Sequence, residues 1–178
     1  MKNLVISTIA AMLLSAPALA DLEIGDVAPN FEADGYLGGE AFSFDLADAL
    51  SEGPVVLYFF PAAFTSGCNI EAALFAQSAA DFEAAGATLI GVTGGNTDRL
   101  QEFSEAHCAS AFPVVAAEGS ILADYEVRLL ARPGWSDRSS FVIDEDAMIV
   151  FTHSDMSPNE HVSGTLQALQ DLQSAGTE

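Results

Sequence analysis

Two short stretches of the chain are almost continuously apolar and rich in β-branched or aromatic side chains: Val55 to Phe60 (VVLYFF) and Thr88 to Thr93 (TLIGVT). Such runs predict strands buried on both faces. Between them the apolar positions Ile70, Leu74 and Phe82 predict a helix, capped by Thr65 or Ser66 and stopped at Gly86. The order then repeats, with a helix over Asp98 to Cys108 capped near Asn96 or Thr97, a short strand Phe112 to Ala116, and a short helix Ser120 to Tyr125. Phe141 to Ile143 and Met148 to Thr152 predict a hairpin around Asp144-Glu145-Asp146-Ala147. After Ser157-Pro158, Val162, Leu166, Leu169 and Leu172 mark a closing amphipathic helix.

Ahead of the first buried strand the pattern is weaker. Leu22 to Phe31, punctuated by Gly25 and Pro29, reads as an extended lead-in. Asp34-Gly35 and Gly38-Gly39 read as turns, Phe42-Ser43-Phe44 as a short strand, and Leu46 to Leu50 as a helical turn ended near Gly53. The whole predicts an α/β fold, a central mixed sheet with helices on both faces. No repeat, low-complexity linker or second domain interrupts it.

Leu4 to Leu14 are almost wholly apolar, follow the single positive charge of Lys2, and precede Ala18-Leu19-Ala20. This is the pattern of a secretory signal peptide cleaved after Ala20, and it is too short for the ~20 residues that span hydrocarbon. Residues 1–20 are therefore expected to be removed on export, most simply to a bacterial periplasm, leaving a single domain over residues 21–178.

Those residues contain no lysine, four arginines (Arg99, Arg128, Arg132, Arg138) and all 26 acidic residues, a formal charge of −22. Such a surface repels phosphate backbones and anionic lipid, so neither nucleic-acid nor membrane partners are expected. Each arginine becomes a candidate functional cation. His153 and His161, with Asp155 and Glu160 nearby, fit no standard metal spacing.

Cys68 and Cys108 are the only cysteines. In an oxidising compartment they could form a structural disulfide or a working redox pair. The surroundings of Cys68 decide more than the spacing does. Phe60-Pro61-Ala62-Ala63-Phe64-Thr65-Ser66-Gly67-Cys68 places the thiol in the first turn of a helix, at the carboxyl end of a central strand, where sites of open α/β sheets gather. The free N–H groups and dipole of that turn favour a thiolate, the nucleophilic form. Thr65 can set a hydroxyl beside the sulfur, Gly67 admits close backbone approach, and Pro61 can wall off the site without a competing N–H.

Pro61-x-x-x-Thr65-x-x-Cys68 matches the active-site motif of the peroxiredoxins. The wider text Tyr58-Phe59-Phe60-Pro61…Phe64-Thr65…Gly67-Cys68…Glu71-Ala72…Phe75 resembles the bacterioferritin-comigratory, PrxQ-like subgroup. Ile24-Gly25-Asp26-x-Ala28-Pro29-x-Phe31, Phe112-Pro113-Val114-Val115, Arg138-x-x-Phe141-Val142-Ile143-Asp144 and His161 extend the likeness over nearly all of residues 21–178.

The resemblance implies a thioredoxin-like fold and a thiol peroxidase needing neither cofactor nor metal. It reduces hydrogen peroxide and organic hydroperoxides and is recycled by a thioredoxin-like or other dithiol reductant. By the same resemblance Cys68 is the peroxidatic cysteine, Thr65 binds the peroxide, Pro61 shields the sulfur, and Arg138 stabilises the thiolate and the polarised O–O bond. Glu71 then orients that arginine.

Cys108 has three readings: resolving cysteine, buried spectator or intermolecular thiol. The chain departs from the family pattern at Ala147, where glycine is usual, and at Gly53, where lysine is common. Both monomeric and homodimeric states occur among such proteins. The competing functions are a thioredoxin-like thiol–disulfide oxidoreductase, which normally needs a cysteine where Thr65 stands, and a non-catalytic protein of the same fold.

Overall fold

The middle of the sheet forms where apolar side chains must be covered on both sides. In the computed structural model, which describes residues 22–176, the elements in chain order are β1 (Glu32–Leu37), β2 (Glu40–Asp45), α1 (Leu46–Leu50), β3 (Val55–Phe59), α2 (Ser66–Gln77), α3 (Ala79–Ala84), β4 (Thr88–Thr93), a 3-10 turn (Thr97–Arg99), α4 (Leu100–Ala106), β5 (Val114–Ala116), α5 (Ile121–Asp124), β6 (Ser139–Ile143), β7 (Ile149–Ser154) and α6 (His161–Ala175). The expected signal peptide lies outside the described residues.

The strands form one seven-stranded sheet in the order β2-β1-β5-β4-β3-β6-β7. β3 runs parallel to β4 and β4 to β5, whereas β6, β7, β1 and β2 are added antiparallel. The sheet is mixed, as the sequence predicts. Alternation along β3 splits the core in two. Val55, Leu57 and Phe59 pack with Phe141, Tyr125, Phe31 and the apolar residues of α1 and α5 on one face. Val56 and Tyr58 pack with Phe75, Phe82, Phe103, Phe112 and Leu169 on the other, under α2, α3, α4 and α6. Cys68 and Cys108 both belong to this second cluster. Among the described residues no helix is long and apolar enough to cross a membrane.

Among the departures from the sequence reading, four stand out. Asp34 and Gly35 do not turn; they lie inside β1, whose backbone approaches β5 so closely that a Cβ on Gly35 would clash with the Val114 carbonyl oxygen. The single helix expected from Ser66 to Gly86 breaks at Ser78, which serves as C-cap of α2 and N-cap of α3. α4 stops at Ala106, so Cys108 lies beyond the helix rather than on it. β5 starts only at Val114, since Pro113 has no N–H to give the ladder.

The β6–β7 turn keeps the backbone that a glycine would favour, although Ala147 stands in it. Ala147 takes a left-handed conformation (φ 61°), while the Asp144 carboxylate accepts the N–H groups of Asp146 and Met148. A Cβ is unfavourable there. Ala147→Gly should therefore stabilise the protein by about 0.5 kcal/mol, raising the melting temperature by about 1–2 °C in calorimetry.

Candidate active site

The loop from β3 to α2 is held from beneath by the loop after β4. Thr93 Oγ1 donates to the Pro61 carbonyl (3.3 Å), Ala63 N–H to the Gly95 carbonyl (3.2 Å), and Asn96 Nδ2 to the Ala63 carbonyl (2.8 Å). Gly95 permits this approach, because a Cβ on it would clash with the Pro61 oxygen. Phe64 turns the chain upward in a left-handed conformation (φ 61°) and drives its ring against Phe103 and His107, with the Arg99 guanidinium 3.8 Å from the ring centroid. A non-glycine residue in that region is strained and is kept there by its surroundings. Here the surroundings are an aromatic cluster and a cation over its face.

Thr65 is the N-cap residue of α2, but its hydroxyl makes no capping bond and donates instead to the Ala62 carbonyl at 3.3 Å. Its oxygen lone pairs stay free of that bond. Three residues on, Cys68 sits in the first helical turn, buried, with Arg138 Nη2 donating to its sulfur at 3.6 Å. The other donors of that guanidinium are fixed: Nε bonds the Met156 carbonyl (3.0 Å) and Nη1 pairs with Glu71 Oε2. Glu71 lies one turn after Cys68 on α2, on the same face. Its carboxyl is buried, and desolvation pushes it up to about 8 against the pull of Arg138.

Gly67 has a more specific part than general access for a substrate. A Cβ there would stand 2.9 Å from Arg138 Nη2, so its absence is what lets the guanidinium reach the sulfur. Gly67→Ala should slow peroxide reduction about tenfold by displacing that group, yet leave the melting temperature level or higher, because alanine is the better helix residue. Stopped-flow rates alongside thermal melts separate the two effects.

Behind the arginine lies a second buried group that sequence reasoning did not connect to the site. The His161 Nε2 atom bonds the Asp155 carbonyl (2.9 Å), its Nδ1 bonds Ser140 Oγ (2.8 Å), and Nδ1 lies 3.9 Å from Glu71 Oε1. Burial lowers the imidazole pKa to about 4, so the ring is neutral near pH 7. Because the folded pKa is depressed, this group's stabilising contribution is complete above about 6.5 and is lost as pH falls towards about 4. Both ring nitrogens are engaged, and among the described residues no group of three or more His, Cys, Asp or Glu could hold a metal ion.

Both thiols are free. Cys108 is fully buried, and desolvation pushes its pKa up to about 12. The Tyr58 hydroxyl is close enough to moderate that rise, but it is not in hydrogen-bonding geometry. The structure thus gathers Cys68, Gly67, Glu71 and Arg138 at one point, with Thr65 and Pro61 on the loop before them, and leaves Cys108 at the end of α4. Ser140, Met156 and Asn96 enter through contacts between distant segments. His161 carries a signal, as a lone histidine at the start of an amphipathic helix.

The chain is similar to known proteins in both sequence and fold. Residues 24–152 match the AhpC/TSA family. A Mycobacterium tuberculosis protein with a provisional peroxiredoxin name is 31% identical over 157 residues, covering 86% of this chain and 99% of its own. Peroxiredoxin Bcp of Bacillus subtilis is 29% identical over 156 residues, covering 85% and 97%. Among solved structures, peroxidoxin BcpB of Mycobacterium tuberculosis superposes with a TM-score of 0.75 at 30% identity, covering 85% of this chain and 98% of that one. With the family matched over most of its length and its thiol set at a helix start beside a buried arginine, the chain belongs to the AhpC/TSA family of peroxiredoxins, thiol-dependent peroxidases of thioredoxin-like fold.

Proposed function

We propose that this peroxidase is an exported enzyme in which Cys68 attacks hydroperoxides and Cys108 resolves the product. The observation that carries the reading is the Arg138 donor 3.6 Å from the Cys68 sulfur, at the start of a helix. The Cys68 thiolate attacks the terminal oxygen of the hydroperoxide, forming an S–O bond and breaking O–O. The departing alkoxide or hydroxide takes up a proton, and Cys68 becomes a sulfenic acid. Arg138 faces the charge as it moves from sulfur to oxygen, and the Thr65 hydroxyl oxygen accepts a hydrogen bond from the peroxide O–H.

Resolution then condenses the sulfenic acid with the Cys108 thiol, forming S–S and releasing water, and a thioredoxin-like dithiol reduces the disulfide. Cys108 stays protonated and buried until its segment opens. That segment is poised to do so: Ala109 and Ser110 are both left-handed (φ 50° and 57°) in the turn closed by Ala111 N–H and the Cys108 carbonyl. Each such residue costs about 1 kcal/mol, which opening releases. The apolar run of residues 4–14 supports export, with the periplasm as compartment.

The test is peroxide consumption with a dithiol reductant, compared between wild type and Arg138→Lys. One ammonium cannot bond the Met156 carbonyl, Glu71 and the sulfur together, so the rate with peroxide should fall on the order of a hundredfold. A lysine variant with wild-type rate would remove Arg138 from the reaction.

A further inference from the structure

Arg138 reaches Cys68 only because two supports fix its other donors, and one buried side chain touches both. The first support is the Asp155–Met156 segment, whose Met156 carbonyl accepts from Arg138 Nε (3.0 Å). The second is Glu71, whose Oε2 pairs with Nη1. His161, fully buried at the start of α6, meets the first through Nε2 at the Asp155 carbonyl and faces the second through Nδ1, 3.9 Å from Glu71 Oε1. We propose that His161 is a positioning residue for Arg138, locking both supports of the guanidinium and so its distance from the reacting sulfur.

The tautomer follows from the partners. A backbone carbonyl only accepts, so Nε2 carries the proton, and Nδ1 is a bare acceptor to which the Ser140 hydroxyl donates a hydrogen bond. Glu71 Oε1, a buried oxygen with no hydrogen-bond partner, packs 3.9 Å from the same nitrogen, so the ring backs the carboxyl oxygen that does not pair with Arg138. The other charged or titratable groups around the ring are few. Glu71 comes from α2, Arg138 from the residue just before β6, Asp155 from the β7–α6 loop, and His153 from β7, its ring 4.6 Å away centroid to centroid. Ser140, the residue that fixes Nδ1, lies two positions after Arg138, in the strand that begins just past it.

A positioning role and mere packing predict different outcomes for substitutions at His161. His161→Leu removes both bonds, while His161→Gln keeps an N–H donor near the Nε2 position. If His161 acts through Arg138, His161→Leu should slow reduction of hydrogen peroxide about tenfold in single turnover and His161→Gln should recover most of that loss. Alkylation of Cys68 by neutral iodoacetamide, which needs no O–O cleavage, should change less. In an Arg138→Lys background the leucine substitution should cost under about twofold more, since its effect then has no route.

If His161→Leu does not fold, Ser140→Ala carries the test, with a several-fold loss and the same dependence on Arg138. Wild-type rates in the folded variants, or a loss that persists undiminished in the Arg138→Lys background, would overturn the inference. It rests on the proposed role of Cys68, but the two fail differently. A Cys68→Ser protein that remains active sinks that role, whereas insensitive His161 variants in a Cys68-dependent enzyme sink only this one.

Discussion

Cys68→Ser should abolish peroxide consumption while the protein keeps its fold. A serine hydroxyl stays protonated near neutral pH and is a far poorer nucleophile towards O–O than a thiolate, so the loss should exceed about three orders of magnitude. The site tolerates the exchange structurally. Cys68 is buried in an apolar cluster, but Arg138 Nη2 already points at its sulfur and can donate to the oxygen instead. The melting temperature should move by only a few degrees, equivalent to about 1 kcal/mol. Peroxide assays beside a melting curve read both quantities. Residual activity within a few-fold of wild type would remove Cys68 as the nucleophile.

Cys108→Ser should split the cycle in two. The first reduction of peroxide, one equivalent, should proceed at close to the wild-type rate, because Cys108 touches none of Arg138, Glu71 or Thr65 in hydrogen-bonding geometry. Steady-state turnover with a dithiol protein reductant should fall by at least about tenfold, because the sulfenic acid has no partner thiol. Left in that state, Cys68 should over-oxidise to the sulfinic acid at lower peroxide concentrations than in wild type. Undiminished turnover would make Cys108 a spectator and the enzyme a one-cysteine peroxidase. The proposed resolution would have to overcome a buried thiol held up at about 12 and a first turn of α2 anchored through Phe64 to Phe103 and His107. Under that proposal, release of the Phe64 ring would loosen both ends of the disulfide to be formed, since the ring bridges the loop before Cys68 and the end of the helix before Cys108.

Much of this arrangement is legible in the chain because burial writes itself into hydrophobic runs. β3 and β4 appear as VVLYFF and TLIGVT, with β4 bounded where the run is. Cys68 is legible because strand, turn and helix signals converge on its position, independently of any motif. What is not legible depends on contacts between distant segments. Gly35 after Asp34 carries a turn signal, but its reason is the approach of Val114 from far along the chain, which no local pattern records. The break at Ser78 falls in a stretch of alanine, serine and glutamine without glycine or proline. Met156 contributes only a backbone carbonyl to Arg138, a group that every residue has. His161, Ser140 and Glu71 come from three separate elements, and only packing makes them neighbours.

Intact-mass spectrometry after one equivalent of hydrogen peroxide tests the central claim most directly, with wild type, Cys108→Ser and Cys68→Ser compared side by side. Wild type should lose the mass of two hydrogens through a Cys68–Cys108 disulfide, Cys108→Ser should gain one oxygen that maps to Cys68, and Cys68→Ser should be unchanged with the peroxide unconsumed. Oxygen that maps to another residue, or a Cys68→Ser protein that consumes the peroxide as fast as wild type, would contradict the assignment of Cys68 as the atom that takes the oxygen.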